Sequence, residues 1–198
     1  MRVRVVLFDV MDTVLVDPFR EALRACTPLP LRELFARRGE DLWPAFERGD
    51  VDEAAYWAGW DAAGLTYDRD AFHAARRAGT RWVDGMPELL DDLGGLVERV
   101  TASNYPVWIE ELASEHLTGR FERVLASHHL GVRKPDPAFF ARLLDRIGAA
   151  ADEAAFVDDR EVNVAAAEEV GLTSHRFEDA ASLRAWLVDL GVPLERAA

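Results

Sequence analysis

The chain has 198 residues, 49% of them hydrophobic, which is enough to bury the core of one globular domain with a smaller subdomain inserted. It has 23 Lys and Arg against 36 Asp and Glu, a formal net charge of -13, so nucleic acid and anionic membranes are disfavoured as partners. The single cysteine, Cys26, excludes an intrachain disulfide and a cysteine metal cluster.

The first predicted element is a buried strand from Val3 to Phe8. The surrounding sequence, with Arg2, Arg4 and Asp9, is too short and too charged for a signal peptide or a membrane span. We therefore expect a cytoplasmic protein.

Residues 18–78 have helical spacing and many aromatic side chains, and no clear strand precedes Leu96. This composition predicts a helical insertion. The Asp84–Gly85 pair is the predicted turn by which the chain returns to the core.

From residue 96 onward, short β-branched runs alternate with stretches of helical spacing, which is typical of a parallel sheet covered by helices. The predicted strands are Leu96 to Thr101, Arg123 to Ala126, Ala155 to Val157 and Thr173 to Phe177. The predicted helices between them are Val107 to His116, Pro137 to Ile147 and Val162 to Val170. The predicted fold class is therefore α/β.

Groups capable of chemistry come just after, or shortly after, the predicted strands. They are Asp9, Ser103 with Asn104, Lys134, and Asp158 with Asp159. In an open α/β sheet, ligands bind outside the carboxyl ends of the strands. We therefore expect four strands to deliver these groups to one edge of the sheet.

This set of groups suits phosphoryl transfer. A carboxylate can attack phosphorus, a hydroxyl and an amide can hold phosphoryl oxygens, and further carboxylates can bind a hard cation such as Mg²⁺. Lys134 is the only lysine among 23 basic residues, and a compact ammonium is not interchangeable with a guanidinium. Because the chain is acidic, an anion site needs a local source of positive charge, which a metal ion supplies.

Four segments in order give a resemblance to the haloacid dehalogenase superfamily of hydrolases: FDVMDTVL, TASNYP, RKPDPAFF and FVDDREVNVAAAEEVG. The resemblance implies a Rossmann-like, doubly wound parallel sheet as the core, over residues 1–16 and 80–198. It also implies an α-helical cap over residues 17–79, and a small phosphorylated metabolite as substrate.

The resemblance also implies a role for each matching residue. The implied catalytic residues are Asp9 as the nucleophile that forms an aspartyl-phosphate, with Ser103 and Lys134 holding the phosphoryl group. The implied substrate-binding set is Ser103, Asn104, Lys134 and Thr13, with Asn104 and Thr13 organising the loops. The implied Mg²⁺ ligands are Asp9, Asp158, the main-chain carbonyl of Met11, and Asp159 through the water shell or Lys134.

Met11 departs from the family pattern, because phosphatases of the superfamily carry an aspartate there for acid–base catalysis. A thioether cannot donate a proton, and such help is worth roughly 10²–10⁴-fold in rate. Three alternatives stay open. The leaving group needs no proton, as in the metal-independent dehalogenases; Asp12, the substrate or water transfers the proton; or the protein binds a phosphorylated ligand without turnover. The Asp158–Asp159 pair favours a metal and hence phosphate chemistry.

A narrower resemblance is to a plant plastid group of flavin mononucleotide hydrolases, which shares the methionine. It is carried by FDVMDT, DPF at Asp17, DGMPELL at Asp84, SNYPVW and RKPDP. It implies flavin mononucleotide or a comparable metabolite as substrate.

Several other residues are weaker candidates. The aromatic rings proposed to cover a planar substrate are Trp43, Phe46, Trp57 and Trp60, although the helical spacing of Trp57 and Trp60 favours a core. Arg133 and Arg160 adjoin site residues. The histidines show no metal-ligand spacing.

Overall fold

The computed structural model describes residues 3–195, and within them a four-stranded parallel sheet has the order β2-β1-β3-β4. The strands are β1 (Val5–Phe8), β2 (Glu98–Thr101), β3 (Ala154–Asp158) and β4 (Thr173–Arg176). Val5 is in register with Glu98 of β2 and with Ala154 of β3. Every residue of β1 and β3 is buried, as expected for a parallel sheet covered on both faces. The predicted α/β fold class is confirmed.

The prediction of a strand over residues 123–126 is wrong. Only single bridges join this segment to the sheet, at Val100 and at Ser103. Thr101 explains the difference, because its hydroxyl donates to the carbonyl of Leu125 at 2.9 Å and accepts from the Leu125 N–H at 2.8 Å. The Leu125 N–H thus donates to a side chain, and the main-chain bonds that remain on either side form single bridges.

The insertion consists of five helices. They are α1 (Phe19–Cys26), α2 (Leu31–Arg38), α3 (Leu42–Glu47), α4 (Glu53–Ala62) and α5 (Arg69–Gly79). Asp52 and Asp68 cap α4 and α5, each accepting a hydrogen bond from a main-chain N–H of the first turn. The insertion packs around fully buried aromatic rings, including Tyr56, Trp60 and Phe72. The helical character predicted here is confirmed, and the division into core and cap stays a prediction.

The two ends of the insertion lie side by side. Leu15 forms an antiparallel bridge with Trp82, and the Val16 N–H donates to the carbonyl of Arg81 at 2.8 Å. Gly85, with a φ of 78°, then precedes α6 in a conformation that a side chain disfavours. The chain therefore leaves and re-enters the core at one place.

The remaining helices cover the sheet. They are α6 (Met86–Asp92), α7 (Ile109–Leu112), α8 (Ser127–Leu130), α9 (Pro137–Ile147), α10 (Glu161–Glu169) and α11 (Ala180–Asp189). The predicted helix over residues 137–147 is confirmed, with Asp136 capping its first turn and Gly148 ending it. The predicted helix over residues 107–116 is instead α7 followed by a π-helix, Ala113–Leu117. No helix among the described residues is long and apolar enough to cross a membrane.

Candidate active site

Three strands bring polar groups to one edge of the sheet. Asp9 follows β1, and its N–H donates to the carbonyl of Val157 at 2.8 Å, which keeps Asp9 beside the end of β3 at Asp158. On the other side of β1, the Ala102 N–H donates to the carbonyl of Phe8 at 2.7 Å. Ser103, which follows β2, therefore lies at the same edge of the sheet as Asp9. The sheet register therefore sets the spacing of these groups.

Lys134 bridges the carboxylates of two strands. Its Nζ lies 2.7 Å from Oδ1 of Asp9 and 2.5 Å from Oδ2 of Asp158, and the side chain is only 1% exposed. The lysine lies on the loop between α8 and α9, so the expectation that four strands supply the site is wrong. Three strands and one loop supply it.

Asn104 holds the main chain of that loop. Its amide Nδ2 donates to the carbonyl of Lys134 at 2.9 Å, and its Oδ1 accepts from the Lys134 N–H at 2.8 Å. Both ends of the amide are thus engaged with one residue. Asn104 positions Lys134, which agrees with a loop-organising role.

Asn163, which sequence reasoning did not include in the site, holds Asp158. Its Nδ2 lies 2.9 and 3.0 Å from the two carboxylate oxygens, and the Arg160 N–H donates to Oδ1 at 2.9 Å. Asn163 is on the first turn of α10, five residues after Asp158. The only sequence signal was an asparagine near a helix start, which more often marks a turn or a cap.

Asn163→Ala is expected to lower the free energy of unfolding by about 1–3 kcal/mol, because it removes hydrogen bonds to a buried charged group. Urea unfolding followed by circular dichroism measures the loss. Val162→Ala is the matched control, since Val162 is its neighbour on α10 and 49% exposed. An equal effect in the two variants would contradict this role for Asn163.

Negative charge is in excess at the site. Oxygens of Asp9, Asp158 and Asp159 all lie within 4.8 Å of one another, and the Lys134 ammonium offsets only one of the three carboxylates. Burial raises the pKa of Asp9 to about 7, assisted by the charge of Asp158 and opposed by Lys134. Burial likewise raises the pKa of Asp159, together with the charge of Asp158. Burial alone would lower the pKa of Lys134, but the charges of Asp9 and Asp158 outweigh it and raise that pKa.

A cavity of about 170 Å³ opens over these groups. Its sheet side is formed by Asp9, Ser103, Asn104, Lys134 and Asp159, joined by Met11 and Asp12 from the turn after β1. The insertion contributes Asp17, Phe19, Trp43 and Glu47. The site is therefore shared between the sheet edge and the helices of the insertion.

Some predicted residues lie elsewhere. Thr13 is fully buried and does not line the cavity, so direct substrate contact by Thr13 is not supported. Of the four rings proposed to cover the substrate, only Trp43 lines the cavity. Phe46, Trp57 and Trp60 are at most 3% exposed and pack in the core, which corrects that proposal. Helical spacing had already favoured the core for Trp57 and Trp60.

Glu47 is the main residue that sequence reasoning missed. It ends α3, is 4% exposed and faces the same cavity as Asp9. Its Oε2 lies 2.8 Å from Nε of Arg133, the residue before Lys134. No local motif marks it, because its position depends on how α3 packs against the core.

The parallel sheet, with buried carboxylates and a lysine beneath a helical insertion, is a Rossmann-like α/β core. The chain belongs to the haloacid dehalogenase-like hydrolase family, whose profile matches residues 3–171. The resemblance carried by the four segments is thereby confirmed.

Similar proteins include two curated relatives and a solved structure. The chain is 33% identical to flavin mononucleotide hydrolase 1 of Arabidopsis thaliana, over 95% of this chain and 78% of that protein. It is 29% identical to a sesquiterpene phosphatase of Aspergillus oryzae, over 77% of this chain and 81% of the other. A HAD family enzyme from Bacteroides thetaiotaomicron, solved with magnesium and inorganic phosphate, has the same fold. Its TM-score is 0.75 at 18% identity, over 91% of this chain and 98% of that one.

Proposed function

We propose that the protein is a Mg²⁺-dependent hydrolase of phosphomonoesters that forms an aspartyl-phosphate on Asp9. The observation that carries the proposal is the bridge from Lys134 to Asp9 and Asp158, in which Lys134 and Asp9 line one cavity. A buried carboxylate beside a buried ammonium suits nucleophilic attack on an anionic phosphoryl group, because the ammonium offsets the charge that the group brings.

The donor set fits Mg²⁺. Three carboxylates and one ammonium leave a formal charge of -2, which a divalent cation neutralises, and oxygen ligands are those that Mg²⁺ prefers. Asp9, Asp158 and Asp159 would hold the ion, with the main-chain carbonyl of Met11 as a further ligand. When bound, the ion supplies positive charge to the phosphoryl oxygens and favours the ionised form of Asp9.

In the first step, a carboxylate oxygen of Asp9 attacks phosphorus, the bond from phosphorus to the substrate oxygen breaks, and that oxygen takes the electron pair. Lys134 uses two of its three N–H donors on Asp9 and Asp158, so one can reach a phosphoryl oxygen. The Ser103 hydroxyl is the second phosphoryl contact. In the second step, water attacks the phosphorus, which releases phosphate and regenerates Asp9.

The cavity limits what it can enclose. Pockets for larger ligands measure roughly 300–1,000 Å³, whereas this cavity measures about 170 Å³. It suits the phosphate end of a substrate, and the rest of the molecule would extend past Phe19 and Trp43, whose ring centroids are 4.3 Å apart. Flat or apolar groups fit this aromatic wall. Flavin mononucleotide is the first substrate to test, because of the Arabidopsis relative, and a sesquiterpenyl phosphate is the second.

The test is phosphate release by the purified protein, with Mg²⁺, from flavin mononucleotide, a sesquiterpenyl phosphate, an alkyl phosphate and p-nitrophenyl phosphate. We expect multiple turnover of at least one ester and loss of turnover with a chelator. No release from any ester would contradict the proposal and would favour ligand binding without catalysis.

Met11 supports carbon–halogen hydrolysis as a second candidate, since halide departs without a proton. Halide release from 2-halo acids with a chelator present is its test. Release that persists in chelator, with no phosphate ester hydrolysed, would replace the first proposal with this one.

Mg²⁺ is expected to stabilise the protein independently of activity. At a concentration 100 times the Kd, a ligand that binds only the folded state adds about 2.7 kcal/mol, which thermal unfolding resolves as a higher Tm. Asp158→Asn should lose this shift. Asp152→Asn, at an exposed carboxylate next to β3, is the matched control and should keep it. An equal Mg²⁺ shift in the two variants would contradict the metal site.

A further inference from the structure

The cavity contains a buried carboxyl group to which the two steps above give no task. Glu47 reaches the cavity from α3, and the Ser127 Oγ donates to its main-chain carbonyl at 2.6 Å, which fixes the end of α3 to the core. The reaction in turn lacks one group, because Met11 cannot protonate the departing oxygen. The cavity therefore contains a carboxyl group with no assigned role, and the proposed reaction lacks a proton donor.

We infer that Glu47 is the proton-transfer residue of the reaction, in the role that residue 11 cannot fill; the inference rests on the proposed phosphoester hydrolysis. In the first step, protonated Glu47 gives its proton to the substrate oxygen as the bond from that oxygen to phosphorus breaks. In the second step, ionised Glu47 takes a proton from the attacking water. The products are an alcohol and phosphate, and Glu47 ends protonated as it began.

The cavity is small enough for one substrate to contact both residues. Asp9 and Glu47 both line this cavity of about 170 Å³. An ester oxygen that points from a phosphoryl group at Asp9 toward the insertion would face the wall that Glu47 helps to form.

The contact between Glu47 and Arg133 involves one of the two carboxyl oxygens, Oε2. Nε of Arg133 is 2.8 Å from Oε2 of Glu47, but its N–H is not aligned with that oxygen, and within the described residues neither atom has a hydrogen-bond partner. The guanidinium still stabilises the carboxylate that remains after proton donation. Arg133 thus tunes the acidity of the carboxyl group.

The acidity of Glu47 suits the task. Burial raises the pKa of Glu47 to about 7, opposed by the charge of Arg133, by contact with Trp43 and by the more distant charge of Lys134. Near neutral pH both forms are populated, which is the condition for a group that gives a proton in one step and takes one in the next.

Two other carboxyl groups in the cavity are engaged by the main chain. Oδ1 of Asp12 accepts from the Asp17 N–H at 2.9 Å, and Oδ1 of Asp17 accepts from the Phe19 N–H at 2.9 Å. Both shape the turn that leads into α1. Asp12→Asn and Asp17→Asn are therefore the matched carboxyl-to-amide variants for comparison with Glu47→Gln.

The experiment compares two esters in the first turnover. The leaving group of an alkyl phosphate is an alkoxide, which needs a proton. The leaving group of p-nitrophenyl phosphate is a stable phenolate, which does not. Glu47→Gln should slow alkyl phosphate hydrolysis by roughly 10²–10⁴-fold. It should release the first equivalent of nitrophenol at nearly the wild-type rate and then stall as the phosphoenzyme, because the second step lacks its base. Met11→Asp added to Glu47→Gln should restore alkyl phosphate turnover.

Arg133→Gln tests whether Glu47 transfers a proton or only anchors α3 to the core. The variant breaks the ion pair between Arg133 and Glu47 but keeps the carboxyl group of Glu47. It should slow alkyl phosphate hydrolysis far less than Glu47→Gln does, whereas an anchoring role alone would make the two variants alike. The role of Glu47 would be overturned if Glu47→Gln slowed both esters equally or slowed neither. It would also be overturned if the ester-selective loss appeared in Asp12→Asn or Asp17→Asn instead. Failure of the wild-type protein to hydrolyse any ester would remove the proposed function itself, and this inference with it.

Discussion

Asp9→Asn is expected to lower phosphate ester turnover by on the order of 10⁴–10⁶-fold, because an amide cannot act as the nucleophile and the reaction has no alternative attacking group. The fold should persist, since Asn has the shape of Asp and Lys134 keeps its contact with Asp158 at 2.5 Å. Steady-state kinetics with the best ester of the panel measure the loss.

The stability of the same variant gives an internal control. Because burial raises the folded-state pKa of Asp9 from 3.8 to about 7, its contribution to stability is full at low pH and is lost as pH rises through 7. In Mg²⁺-free buffer above pH 7, Asp9→Asn should therefore unfold at the same urea concentration as the wild type or a higher one. Lost activity together with an unfolded or strongly destabilised protein would mean that the kinetic loss says nothing about nucleophilicity.

Lys134→Met is expected to lower the free energy of unfolding by about 3–5 kcal/mol in Mg²⁺-free buffer, because it leaves Asp9 and Asp158 buried without their ammonium partner. Urea unfolding at neutral pH measures the loss. Lowering the pH should reduce it, since protonated carboxyls need no partner.

The control for Lys134→Met is Arg4→Met, which breaks the exposed pair of Arg4 with Glu153, 3.2 Å apart. Exposed pairs contribute about 0–1 kcal/mol. If the two variants were destabilised by similar amounts, the buried bridge would not be the element that holds the site together.

The residues at the strand ends could be predicted from the sequence because parallel strands align their carboxyl ends. Asp9 and Ser103 follow buried strands and Asp158 ends one, and sheet register then fixes their spacing. The role of Asn163 was ambiguous in the sequence. An asparagine that starts a helix and an asparagine that binds a carboxylate can have the same neighbouring residues. Met11 was visible as a departure from the family, although its consequence depends on the rest of the cavity.

Other features could not be predicted, because they depend on tertiary contacts. The run at residues 123–126 has strand composition, yet the Leu125 N–H donates to the Thr101 side chain and only single bridges form. Glu47 is distant from every motif, and only the packing of α3 against Ser127 and Arg133 brings it to the cavity. Helical spacing indicated that Trp57 and Trp60 are core residues, but it could not show that Trp43 faces the site.

The most direct test of the central claim is the mass of the Asp9 peptide after rapid acid quench of the protein with Mg²⁺ and a reactive phosphate ester. We expect the mass of one phosphoryl group on that peptide, accumulating in Glu47→Gln and absent in Asp9→Asn. Turnover with no phosphoryl adduct in the wild type or in Glu47→Gln would contradict the assignment of Asp9 as the nucleophile. An adduct on any other residue would also contradict it.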